Sequence, residues 1–236
     1  MKILFLSFLT LCSLFATNLS LQKTKIFDLQ KDTAKINIPN LTIGQSGVIV
    51  KTIKNDSIII AQASVVATNT MRSTIQFTNK QMLPQDAIPT SSRKPAQGDE
   101  FILNHLYNTS LLIVPNTKAK EIVQALYPKQ NFLDEDFFAT HLKLIYTPIP
   151  NKKDFLNFAQ KQQIGTLFIV VQNQLYILDA ATFKLLDTIS IDNDDQSENI
   201  PFLTKITDIE QGFWDFGDNK IDNYTQYYST LLEIKK

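Results

Sequence analysis

NKKDFLNFAQKQQIGTLFIVVQNQLYILDAATFKLLDTISI, residues 151–191, decides the fold class. Asn151 is a helix-capping residue with Asp154 in the first turn behind it, and Phe155, Phe158 and Ala159 recur at helical spacing. Gly165 stands where a helix C-terminus wants a residue tolerant of positive φ. Two β-prone runs follow, Thr166 to Val171 and Gln174 to Leu178, joined tightly around Asn173. The turn Asp179-Ala180-Ala181-Thr182 leads into a third run, Lys184 to Ile191. A helix followed by three consecutive antiparallel strands is an α+β module.

The flanks extend this module. Upstream, Asn116 caps a helix with apolar residues Ala119, Ile122, Val123 and Leu126, stopped by Pro128. Asp134 caps a second, with Phe137, Phe138 and Leu142 on one face, and a short strand is expected over Lys143 to Thr147. Downstream lie an acidic loop (Asp192 to Glu198), an aromatic cluster (Phe213, Trp214, Phe216) read as core, and a final helix. In that helix Ile221, Tyr224, Tyr228 and Leu231 recur at helical spacing.

The N-terminal half reads differently. Gly47 to Val50, Ser57 to Val66, Thr70 to Phe77, Glu100 to Asn104 and Leu111 to Val114 carry β-branched or alternating apolar residues. Asn55-Asp56 and Gly98-Asp99 supply turn chemistry, and the Pro-rich piece Met82 to Pro95 reads as a surface loop. Short strands with brief turns predict a small antiparallel sheet or barrel. The expected organisation is a leader over 1–16, a polar segment over 17–40, a β-rich subdomain over 41–115, and an α+β subdomain with a C-terminal helix over 116–236. The fold class is therefore α+β, β-rich first and helix-plus-antiparallel-strand second.

The leader is Met1-Lys2 followed by the apolar run Ile3 to Phe15 and Ala16, the pattern of a signal peptide cleaved after Ala16. The run is too short for a bilayer-spanning helix, which needs about 20 apolar residues. No later segment is long and apolar enough to span either. An exported protein, at the cell surface or in the periplasm, is expected. Cleavage would remove Cys12, the single cysteine, leaving a body without disulfides that is held by its core alone. Charge balances at 23 basic against 23 acidic residues, which gives no electrostatic footprint for nucleic acid.

Catalytic and metal-binding constellations are not visible. His105 and His141 are the only histidines and lie far apart in sequence without metal-ligand partners at suitable spacing. Asp192, Asp194 and Asp195 suggest calcium, but counting from Asp192 puts Ser197 and Leu203 where a calcium loop needs Gly and Glu. Asp215-Phe216-Gly217 matches a kinase tripeptide without the accompanying kinase motifs. No cofactor is implied, and a non-enzymatic binding or scaffold protein is expected. The terminal Lys235-Lys236 carries a specific mechanism. A C-terminal lysine joins an α-carboxylate and an ε-ammonium on one short stem, which a pocket with two charged ends and an aromatic floor can hold.

Three stretches add a family resemblance: Ile43 to Val50, Ile60-Ala61-Gln62-Ala63, and Gly98 to Asn104. With Leu106 to Asn116 and Asp136 to Leu142, they resemble the N-terminal domain of plasminogen-binding proteins from epsilon-class proteobacteria, over roughly Leu41 to Ile191. The resemblance implies a surface-associated protein capturing host plasminogen, with Lys235 and Lys236 as the partner-binding residues. Longer members continue into a charged, lysine-ended tail, and this chain stops soon after the domain. The rival expectation is a periplasmic structural or assembly factor of the cell envelope, which labelling of intact cells would separate from a surface protein.

Overall fold

The structure, a computed structural model, describes residues 18–54, 56–78, 93–193, 201–207, 221 and 223–234. Six strands close into a barrel: β1 (Gln22–Phe27), β2 (Thr33–Ile36), β3 (Ser46–Ile53), β4 (Asp56–Thr68), β5 (Ser73–Thr78) and β6 (Glu100–Leu103), in the order β1-β2-β5-β4-β3-β6. Antiparallel pairing of β1 with β6, Thr24 opposite Phe101, completes the circle. Inside lie Ile26, Ala34, Ile36, Ile49, Ala61, Ala63, Val65, Ile75, Phe101 and Leu103. Closure leaves no open sheet edge.

The expected polar segment over 17–40 therefore contains two barrel strands. Its polarity comes from the outward positions of alternating strands: Lys23 and Lys25 are exposed while Ile26, Ala34 and Ile36 point into the core. With so few inward residues per strand, composition hides the period of two.

The second sheet runs β11-β10-β9-β7-β8, built from β7 (Thr109–Ile113), β8 (Asn131–Leu133), β9 (Thr166–Val171), β10 (Gln174–Asp179) and β11 (Leu185–Ser190). β9, β10 and β11 are antiparallel as expected, with Val171 opposite Gln174 across the tight turn. β7 instead lies parallel to β8 and β9. The sheets thus divide between Leu103 and Thr109, and the strand expected over Leu111 to Val114 belongs with the second body.

Among the described residues, four helices accompany this sheet: α1 (Thr117–Leu126), α2 (Glu135–Leu144), α3 (Lys152–Gln162) and α4 (Tyr224–Leu231). Alternate strand residues serve opposite faces. Leu111, Ile113, Leu167 and Ile169 pack with Phe138, Phe155, Phe158, Tyr224 and Tyr228 from α2, α3 and α4. Leu112, Phe168, Val170 and Leu175 pack with Ala119 and Val123 from α1. β9 is buried at all six positions because both its faces are covered.

The caps fall where the sequence puts them. Asn116 accepts from the Ala119 N–H, Asp134 from the Asp136 N–H, and Asn151 forms a capping box with Asp154. Three local expectations are corrected. Lys143 and Leu144 end α2 rather than starting a strand, since the helix bonds continue to Ile145. Phe137 is 59% exposed while Phe138 and Leu142 are buried, because adjacent residues on a helix cannot share a narrow face. The left-handed residue after α3 is Gln163 at φ 56°, not Gly165. Gly165 instead permits close approach: a Cβ there would lie 2.3 Å from the Leu106 carbonyl.

Candidate binding site

Asp179 ends β10 and is fully buried. Its Oδ1 accepts from the backbone N–H groups of Ala181 (2.9 Å) and Thr182 (2.7 Å), which folds the chain toward β11. Its Oδ2 accepts from the Tyr107 hydroxyl (2.5 Å) and from the Ser46 N–H (2.9 Å). Ser46 opens β3 of the barrel, and Tyr107 lies between β6 and β7. One carboxylate therefore ties the turn of the second sheet to the barrel. Burial pushes its carboxyl up from the usual aspartate range, against the pull of those donors. Burial, with the Asp179 charge beside it, pushes the Tyr107 hydroxyl far up, so that it stays a donor.

A second strut lies alongside. The Thr182 hydroxyl donates to the Gly44 carbonyl at 2.9 Å. Gly44 sits at φ 98°, and a Cβ there would lie 2.3 Å from the Lys184 Cβ, so the approach depends on glycine.

Around this pin the two bodies leave a cleft of about 170 Å³, walled by Gln62 and Ser64 of β4, His105, Leu106, Ile164 and Thr182. A hollow of about 270 Å³ shares Gln62, Leu106 and Ile164 and continues to Gln160 and Gln163 at the end of α3. Hydroxyls, amides, aliphatic side chains and the His105 imidazole line them, and among the described residues no carboxylate or ammonium does. Such walls can hydrogen-bond a neutral group.

His105 lines this cleft, whereas His141 lies on α2 with its ring 5.3 Å from that of Phe158. The two histidines share no hydrogen bond among the described residues. Burial holds both imidazoles below the usual histidine range. Among the described residues no three His, Cys, Asp or Glu side chains gather as a metal site. Asp192 is described, but Asp194 and Asp195 lie outside the described residues, as do Phe213, Trp214 and Phe216.

Lys235 and Lys236 also lie outside the described residues, but the helix preceding them is firmly placed. Asn223 caps α4 by accepting from the Gln226 N–H. The Tyr224 hydroxyl donates to the Val170 carbonyl (2.8 Å), Tyr227 to Pro150 (2.7 Å) and Tyr228 to Pro201 (2.6 Å). Ile234 still packs against the sheet core.

Reading the sequence identified the Asp179 turn but not its partners. An Asp followed three residues later by Thr after an apolar run is a turn signal. Nothing in the sequence points from Asp179 to Ser46, 133 residues away.

The family model described as plasminogen-binding protein pgbA N-terminal matches residues 22–232. Two curated relatives from Helicobacter pylori, strains J99 and 26695, each bear the name plasminogen-binding protein PgbA. Each is 24% identical over 212 residues, covering 89% of this chain and 46% of the relative. The chain thus spans about half the length of these relatives. No solved structure matches it.

Proposed function

The chain belongs to the plasminogen-binding protein pgbA N-terminal family, and from that premise we propose that it is a binding protein whose partner is plasminogen. The family match across nearly all of the described chain is the observation that carries this reading. The name of the two Helicobacter relatives supports the partner. In this reading the protein is exported, its leader is removed after Ala16, and it acts at the cell surface by binding rather than by catalysis.

Lysine is the side chain proposed to engage the partner, with Lys235 and Lys236 at the contact. What supports this is chemical: terminal lysine offers an ammonium and a carboxylate together, and α4 gives the preceding residues a fixed mount. Plasminogen passed over immobilised residues 17–236 should be retained, and a soluble lysine analogue should release it. Deleting Lys235 and Lys236 should abolish retention. Capture that survives the deletion but yields to the analogue would move the contact to internal lysines. Capture indifferent to both would remove lysine from the mechanism.

A further inference from the structure

A hollow of about 600 Å³ lies against His105, between residues 19–21 and the end of α1. Leu19, Leu21, Leu126 and Tyr127 give it apolar lining, and His105 and Lys129 are among its polar lining residues. Hydrogen bonds from its lining residues fix its sides. Asn104 donates to the carbonyls of Asn18 and Ser20, both at 2.9 Å, which fixes the wall carrying Leu19 and Leu21. Gln130 donates to the Tyr107 carbonyl and the Ser110 hydroxyl, both at 2.7 Å, which fixes the end of α1.

Two features of this cleft are left unused by the fold. Leu21 and Leu126 are each 51% exposed, although leucine ordinarily gains by burial. Among the described residues, neither the Lys129 ammonium nor the His105 ring has a hydrogen-bond or ion-pair partner, and no carboxylate lines the cleft. Apolar lining beside the Lys129 ammonium complements a molecule that has an apolar tail and an anionic head.

We infer that this cleft binds a fatty carboxylate, its tail against Leu21, Leu126 and Tyr127 and its head group at Lys129 and His105. A peptide C-terminus shares the carboxylate but fits less well. It brings backbone polar groups that need partners, and the amide donors of Asn104 and Gln130 are already committed.

Decanoate titrated into the isotope-labelled chain, followed by amide NMR, tests the inference. Saturable shifts are expected at Leu21, Leu126, Tyr127 and Lys129, and decylammonium, with the same tail and opposite charge, should bind far more weakly. Lys129→Gln should weaken decanoate roughly fivefold, the order of one exposed ion pair, and Lys129→Arg should restore it. Leu126→Asn should weaken both amphiphiles together. Equal binding of decylammonium, shifts confined to other regions, or no saturation at millimolar ligand would overturn it. Tighter binding of acetyl-Gly-Leu than of decanoate would assign the cleft to peptides and overturn it equally.

Discussion

A carboxylate buried without a cation stays in place only while donors surround its oxygens, and Asp179 has four of them. Asp179→Asn preserves the two turn bonds at one oxygen but sets an NH₂ against the Ser46 N–H. A loss of about 2–3 kcal/mol in urea unfolding is expected, from a buried donor left unpaired. Asp179→Ala strips all four donors and should cost more, whereas Tyr107→Phe removes one donor and should cost about 1 kcal/mol. Equal stability of Asp179→Asn and the parent chain would show that the junction does not depend on this group. The histidines give a pH dependence with a defined sign. Both hold their protons less readily folded than unfolded, so the unfolded chain binds more protons around pH 6.5, the ordinary histidine range. Stability should therefore rise with pH through that window. The double variant His105→Gln, His141→Gln should show a flatter rise than the parent, measured as urea midpoints from mildly acidic to neutral pH. Identical slopes would remove both histidines from the effect.

At the scale of elements, helix starts were legible because capping is local chemistry. The Asn151 box satisfies the first donors of α3 within four residues of sequence, and Asn151→Ala should destabilise by about 1 kcal/mol, read from the thermal midpoint. The hairpin of β9 and β10 was legible for the same reason. What escaped were features fixed by distant partners. β1 and β2 looked polar because barrel closure buries only one side of each short strand. Gly165 looked like a helix terminator because its role, admitting the Leu106 backbone, exists only once the two bodies meet. β8 is three residues long and takes its identity from lying parallel to β7. The tyrosines of α4 fall between these cases. Their spacing announced a buried face, but the bonds from Tyr224 to Val170 and Tyr228 to Pro201 could not be read from it. Tyr224→Phe keeps the ring and loses the bond, so a loss of about 1 kcal/mol with unchanged secondary structure is expected. An unaltered urea midpoint would mean that the ring alone seats the helix.

At the scale of the molecule, the α+β division was visible in the change of hydrophobic period, while the way the halves are joined was not. The barrel core and the sheet core are separate clusters that share no side chain. They communicate through a short junction: the Ser46 bonds to Asp179 and Tyr107, the Thr182 bond to the Gly44 carbonyl, and Gly165 against Leu106. Bodies with their own cores unfold independently unless the contacts between them exceed their difference in stability. Here those contacts are few and half-buried, but they converge on the fully buried Asp179 carboxylate, which makes it costly to open alone. Native-state hydrogen exchange can read the coupling directly. In the parent chain, barrel amides such as Ile49 and Phe101 should exchange with the same opening free energy as sheet amides such as Phe168 and Ile169. In a double variant, Asp179→Ala with Thr182→Ala, the two sets should separate, with one body opening while the other stays protected. Two distinct opening energies already present in the parent would mean that the junction orients the bodies without coupling them, and a binding event on one body would then leave the other undisturbed.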